Sequence, residues 1–500
     1  MMPFNIGYAG LRFSLSSLVE EGSVKFLQHI PDLDSRGQGN LQAIFFAVIV
    51  SSSLLGIAWM LPKLSTVGII GLTAGMVIFI VCFASTEMAL YALIFSMLLS
   101  PEFMVGATGG SSLSRGVTLR LDDFMLAIIG FSWFAKMSIN KELGLFLKTP
   151  LNAPIGFYII VCLVSTLYGS LFGRVNLLTG FFFVLKYFEY MIIYFMVANH
   201  ITRRSQINSY LWAILLTGVI VSLVAMFQIP GGGRVSAPFE GQYGEPNTLG
   251  GYLVFIISLT IGLFVNSGSF RDRLIYLGMI LLFIIPFFYT QSRSSYLAMG
   301  PAVMVFIWLS EKRNLIVGIL LIIAVCLPFI APQAARDRVA YTFSQGKHRN
   351  DVVSIGGVKL DTSTTARINS WKDASKDWIN HPFLGYGVTG YKFVDAQYIR
   401  VITETGVIGL ITFFALLITV FKQVNHILAT TTDRFYRGLT MGFLAGYVGI
   451  LVHALGAKTF IIVRIMEPFW FVVAMVFLVP KLEAADVIGR EEGDGAEMAA

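Results

Sequence analysis

Apolar runs of roughly 17 to 25 residues recur along most of the chain, broken by short polar and charged clusters, and each can cross a hydrocarbon core of about 30 Å as a helix. Candidate spans begin near 41, 66, 84, 122, 153, 178, 208, 247, 272, 294, 314, 402, 435 and 459, the run at 84–100 being short. The pattern predicts an all-α polytopic membrane protein with about fourteen transmembrane helices. Composition agrees: 56% of residues are hydrophobic and 13% charged, with a mean hydropathy of +0.74. A soluble domain carries about twice that charged share, so a single water-soluble globule is excluded.

The spans divide the chain into a cytoplasmic N-terminal segment (1–40), a bundle of about eleven helices (41–331), a long outer loop (332–401), about three further helices (402–480) and a cytoplasmic tail (481–500). The leader carries Glu20, Glu21, Asp32 and Asp34 without an early apolar core, so no cleavable signal is expected. The acidic tail beyond about 482 is expected to be disordered. Basic residues mark alternate connections: Lys136, Lys141 and Lys148, then Arg203 and Arg204, Arg271 and Arg273, Lys312 and Arg313, and Lys422, Arg434 and Arg437. With positive loops inside, both termini are cytoplasmic, and 101–121, 172–177, 229–246, 291–293, 332–401 and 456–458 face outward. The net charge of +7 therefore reads as topology and lipid contact, with no nucleic-acid partner. Cys82, Cys162 and Cys326 lie far apart in apolar stretches and suggest neither a disulfide framework nor a metal cluster.

The outward segments hold the polar chemistry. Gly231-Gly232-Gly233-Arg234 leads through Glu240, Tyr243 and Glu245 to Asn247, which is expected at a helix N-cap. A helix N-terminus beside a guanidinium suits phosphate, and equally this is a glycine-rich exit loop with a headgroup arginine. Arg293, in the knot Thr290-Gln291-Ser292-Arg293-Ser294-Ser295-Tyr296, sits at the membrane boundary, where an arginine snorkels or meets an anion. Within the long loop, Thr364 to Ile379 puts Ile368, Trp371, Ala374 and Trp378 on one helical face, an amphipathic helix on the outer membrane surface or across the bundle mouth. The loop ends in Asp395, Gln397, Tyr398 and Arg400, with Glu404 one turn later. Two readings stay open there: an N-cap aspartate with an Arg400–Glu404 helix pair, or an acid or base at a membrane-level cavity. Arg464 and Glu467 interrupt the last span near His453 and Lys458 and read as a self-neutralising pair. Arg115, Arg120, Asp122 and Asp123 mix possible substrate contacts with helix-start electrostatics. No phosphate-binding glycine loop, zinc-ligand spacing, haem-attachment sequence or nucleophile elbow is present, so no cofactor or metal is expected.

In order and spacing these segments resemble the O-antigen polymerase and ligase superfamily of bacterial envelope glycosyltransferases. The resemblance rests on Arg234 with Glu245-Pro246-Asn247, on Ser292-Arg293, on Trp371 followed by His381-Pro382-Phe383-Leu384-Gly385-Tyr386-Gly387, and on Asp395, Gln397 and Tyr398 followed by Glu404-Thr405-Gly406-Val407-Ile408-Gly409. It covers about 178 to 420. Ligases of the group typically carry a His-Asn pair where this chain has Asp395-Ala396, so the pattern looks more like the polymerases, which join lipid-linked repeat units.

The resemblance implies a GT-C-like membrane fold in the bacterial inner membrane, with the active site facing the periplasm. It implies a lipopolysaccharide-type or other surface polysaccharide built from polyprenyl-diphosphate-linked oligosaccharides as donor and acceptor, with membrane lipids and a chain-length regulator as partners. Arg234 and Arg293 are then expected to hold the diphosphate, with Arg367 and Arg400 as further contacts. Asp395, Glu404 and Glu245 are unranked candidates for the base, Asn247 and Gln397 are expected to contact substrate, and Trp371 and Tyr398 offer sugar-stacking surfaces. A ligase is the nearest alternative enzyme, and a lipid-linked oligosaccharide flippase the alternative outside enzymes.

Overall fold

The computed structural model describes residues 76–499 apart from 79, 83, 101, 106–116, 140–147, 240–243, 310–312, 315–316, 319–331, 345–353, 356–357, 360–361 and 393. A compact unit of 75–134 and 143–500 contains nearly all of them, and the other unit, 1–74 with 135–142, contributes only the helical end 135–139. Among the described residues, eight helices are long and apolar enough to cross a membrane, and three shorter apolar helices accompany them. Together these coincide with the expected spans except the one starting near 41 and most of those near 66 and 314, which lie outside the described residues. The chain is an all-α polytopic membrane protein.

In chain order the helices before the long loop are α1 (Thr86–Leu99), α2 (Leu121–Ile139), α3 (Asn152–Leu171), α4 (Leu177–His200), α5 (Arg204–Gln228), α6 (Pro246–Asn266), α7 (Phe270–Tyr289) and α8 (Arg293–Leu309). The loop contributes α9 (Gln333–Ser344) and α10 (Thr362–Trp378), and α11 (Gln397–Thr430), α12 (Arg434–His453) and α13 (Val463–Ala499) complete the bundle. Two antiparallel pairs add minor structure: β1 (Glu102–Val105) with β2 (Val117–Arg120), Glu102 opposite Arg120, and β3 (Ser354–Ile355) with β4 (Val358–Lys359). The tail expected to be disordered instead continues α13 as helix to Ala499.

Local chemistry sets many helix starts. Ser85 caps α1 by accepting from Met88 N, Asn176 caps α4 through Thr179 N, and Asp433 caps α12 through Phe435 N and Tyr436 N. Arg204 grips the same Asp433 through both terminal nitrogens, at 2.8 and 3.0 Å, joining the starts of α5 and α12. The tightest packing is α6 against α12. Gly438, Gly442 and Gly446 recur every fourth residue, and a Cβ on Gly442 would lie 2.7 Å from Leu259 O. Small residues at that spacing let two backbones approach, which suits helix association in lipid, where apolar burial supplies no driving force.

α13 runs through the core: Ile465, Met466, Phe469 and the stretch Phe471 to Val476 are almost wholly buried. Its start is fixed by Arg464, fully buried, whose guanidinium donates to Leu98 O at 3.2 Å, Pro238 O at 2.6 Å, Ser100 O at 3.2 Å and Phe239 O at 3.2 Å. These backbone acceptors tie α13 to the end of α1 and to the turn before α6. Outer faces are apolar and open: Phe157, Ile160, Val164, Leu167 and Leu171 form one exposed stripe on α3, as befits a surface against hydrocarbon.

Candidate functional site

The site is built where α7 reverses into α8. Gln291 adopts φ 50°, and Thr290 and Ser292 are buried, so the reversal takes almost no chain. Arg234 reaches this turn from the preceding loop: its Nε donates to Thr290 O at 2.9 Å, while Val235 N donates to Tyr289 O at 3.1 Å. The Arg234 Nη2 also approaches Asn247 Oδ1 at 3.4 Å. Asn247 is not the N-cap. Pro246 occupies the first helical position and Glu245 the cap, because a fixed φ and a missing N–H suit proline there. That frees the Asn247 amide oxygen to accept from Ser292 Oγ at 2.8 Å, and Ser295 Oγ donates to Ser292 Oγ at 2.8 Å. Gly250 makes this seam possible, since a Cβ there would overlap the Ser295 hydroxyl. Glu245 accepts from Thr248 Oγ1 at 3.3 Å, within the same helix start.

From α8 the contacts pass to the long loop. Arg293 Nη1 lies 3.4 Å from Thr364 Oγ1 on α10, and one turn along α10 Arg367 Nε bonds Asp395 Oδ2 at 3.2 Å. Asp395 is not an N-cap either: α11 starts at Gln397, its cap residue is Ala396, and the carboxylate is drawn to Arg367 instead. His453, fully buried at the end of α12, lies within electrostatic range of Arg367, approaches the Asn247 backbone and pairs through Nδ1 with Thr459 Oγ1 at 2.8 Å. One chain of contacts thereby unites Arg234, Asn247, Arg293, Arg367 and Asp395, from five separate segments.

The apolar face of α10 packs on protein, not on a membrane surface. Ala374 is fully buried in a cluster with Tyr391, Val394 and Ala396, and Trp371, Tyr386 and Ile399 pack against it. The roof is latched by Tyr391 Oη to Asp377 Oδ2 at 2.6 Å and Tyr386 Oη to Asp377 O at 2.9 Å. Tyr391 and then Lys392 hold Asp377 below the ordinary carboxylate value.

Arg400 and Glu404 stand apart from this cluster. Arg400 Nε bonds Glu404 Oε1 at 3.0 Å with each side chain only 6% exposed, and Thr389 N donates to the same oxygen at 3.2 Å. They lie beneath a turn formed by the His381-to-Gly387 run. At Gly406 (φ 68°, ψ −168°) α11 breaks, and the freed groups find partners in that run. Tyr386 N and Gly387 N donate to Thr403 O and Glu404 O, and Val407 N and Ile408 N donate to Pro382 O and Phe383 O. The run is a plug for a broken helix. Tyr398 packs on neighbouring helices, its hydroxyl on Leu451 O at 2.7 Å and its ring stacked on Phe414 at 5.6 Å. Buried Gln397 donates its backbone N–H to Ala454 O. Gln397 Oε1, Trp371 Nε1, His453 Nε2 and Arg400 Nη2 are buried without hydrogen-bond partners among the described residues.

Arg120 and Asp123 fall into a helix-start cluster: Asp123 accepts from Arg120 N at 3.0 Å and pairs with Lys186, which also meets Glu189 at 3.5 Å. Glu240, Tyr243 and Arg115, and the side chain of Asp122, lie outside the described residues. The sequence reading missed Thr364 and Thr389, which no motif marks, and the Gly250 seam, which the paired Gly250-Gly251 at a helix start signals.

This geometry can be set beside known proteins. Residues 277–414 match the O-antigen ligase family. The matched stretch runs from α7 into α11, and so takes in Arg293, Arg367, Asp395, Arg400 and Glu404 while leaving Arg234 and Asn247 upstream. The match supports the O-antigen polymerase and ligase superfamily, and with it a membrane enzyme of that general kind. No curated protein matches the chain significantly.

Proposed function

We propose that the chain polymerises polyprenyl-diphosphate-linked oligosaccharide repeat units at the outer face of the bacterial inner membrane, with its site toward the periplasm. The observation that carries this reading is the chain of contacts that brings Arg234, Arg293 and Arg367 together with the loop carboxylate of Asp395. The acceptor sugar hydroxyl attacks the anomeric carbon of the donor. Its proton passes to a carboxylate, the new glycosidic bond forms, and the anomeric C–O bond to diphosphate breaks. The arginines stabilise the negative charge that the leaving diphosphate acquires, a task suited to permanently charged, bidentate donors.

Among the carboxylates, Asp395 is the preferred base. It is 35% exposed and engages Arg367 through one oxygen, whereas Glu404 is 6% exposed and shared between Arg400 and the turn. Glu245 serves its helix start. Donor and acceptor lipids, surrounding membrane lipids and a chain-length regulator are the partners this reading entails. The family's description as O-antigen ligase favours a second reading, transfer of finished glycan to lipid A–core. The absence of the ligases' His-Asn pair at Asp395-Ala396 weighs against it.

The test is reconstitution of the purified chain with a lipid-linked repeat unit and sizing of the products. A ladder spaced by one repeat supports polymerisation. A single conjugate formed only with lipid A–core would replace it with ligation, and no product with either acceptor would move the reading to transport.

A further inference from the structure

The loop after α3 holds a further cation that the proposed reaction does not use. α3 ends at Leu171, and Gly173 in the left-handed region (φ 69°) turns the chain so that Arg174 N donates to Gly169 O at 2.9 Å. The Arg174 guanidinium then lies among three rings, 5.8 Å from the centroid of Tyr168, 5.1 Å from Phe172 and 5.9 Å from Tyr386. Its Nη1 is buried and has no hydrogen-bond partner, and no described carboxylate pairs with it. A buried donor of an arginine left without an acceptor is costly, and ring faces satisfy charge but not the N–H direction.

The surroundings are apolar and open. Leu171 is 84% exposed, Phe172 60% and Phe383 70%, so the guanidinium sits at the rim of a hydrocarbon-facing belt. Tyr386 places it on the same side as α10, through its hydroxyl bond to Asp377 O, and among the described residues no contact joins Arg174 to Arg234, Arg293 or Arg367. We propose that Arg174, boxed by Tyr168, Phe172 and Tyr386, binds the phosphate of a membrane lipid at a site separate from the arginine cluster. A phosphate oxygen supplies the acceptor that Nη1 lacks, and the lipid's chains lie against Leu171, Phe172 and Phe383. The inference stands whether or not the chain transfers sugars, since it concerns binding alone.

The test is native mass spectrometry of the full chain with phosphatidylglycerol and, separately, polyprenyl phosphate as probes. Arg174→Gln should lower retention of at least one probe about tenfold, the scale expected for a lost charge-assisted hydrogen bond. A loss confined to polyprenyl phosphate assigns the site to the lipid-linked substrate, and a loss that includes phosphatidylglycerol assigns it to bulk headgroups. Unchanged retention of both would overturn the proposal and leave Arg174 as a structural tie. Because Arg174→Gln can fail to fold, the wild-type chain is also labelled with a photoactivatable phospholipid and a photoactivatable polyprenyl phosphate. Adducts on 168–174 or 383–386 support the site, and adducts confined elsewhere refute it.

Discussion

Gly406→Ala should release the turn over the Arg400–Glu404 pair. The native backbone at Gly406, φ 68° and ψ −168°, lies where essentially only glycine goes, at a cost of about 1–3 kcal/mol for alanine. A Cβ there would also overlap Phe383 O and crowd Leu384 N, both backbone atoms that cannot rotate away. Relief requires the turn to lift, which breaks the four bonds from Tyr386 N, Gly387 N, Val407 N and Ile408 N, of 2.9, 2.8, 2.8 and 3.3 Å. At roughly 1 kcal/mol net for each bond, the turn loses about 4 kcal/mol. Each 1.4 kcal/mol is a factor of ten, so hydrogen exchange at those four amides should accelerate by about a thousandfold. Native protection at all four amides in Gly406→Ala would refute the role given to the His381-to-Gly387 run.

Three further outcomes follow from the same geometry. Arg400→Met and Glu404→Met should each destabilise by about 3–5 kcal/mol, by leaving one buried charge, and the double replacement by much less than the sum, in a thermodynamic cycle on the reconstituted protein; additive losses would mean the pair is not a structural unit. Gly442→Leu should separate α6 from α12 and abolish a folded, monodisperse chain, whereas Gly278→Leu, where a Cβ meets nothing within 4 Å, should be tolerated. Burial, then the Arg174 charge, hold His381 below the ordinary imidazole value, so its contribution to the turn is full above about pH 6.5 and declines as the pH falls below that value. Arg174→Gln should raise the His381 titration midpoint seen by NMR, and an unmoved midpoint would remove Arg174 as a cause.

Spans were legible because an apolar run of membrane length has few other uses, and the helix starts near 153, 178, 247, 272 and 435 fall within two residues of those observed. Arg293 stood out as a charge at the membrane boundary, where it needs a partner, whereas Arg367 entered only through the family resemblance. Caps were not: Pro246 displaces Asn247 from the capping position, and Arg367 outcompetes the helix end for Asp395. The α10 stripe announced a buried face without saying what buries it, and only the return of Tyr391 to Ala396 over that face decides against membrane. Long-range ties such as Arg464 to Leu98 O leave no local pattern, and the break at Gly406 reads in sequence as one more glycine in an apolar helix.

The central claim is that Arg234 and Arg293 belong to one substrate site organised around the α7-to-α8 reversal. The most direct measurement is turnover of a lipid-linked repeat unit by Arg234→Gln and Arg293→Gln in proteoliposomes, with thermal unfolding recorded on the same samples. Loss of a preorganised charge-stabilising donor costs about 10²–10³ in rate, so both variants should fall by at least a hundredfold while unfolding as the wild type does. Wild-type turnover in either variant would contradict the account.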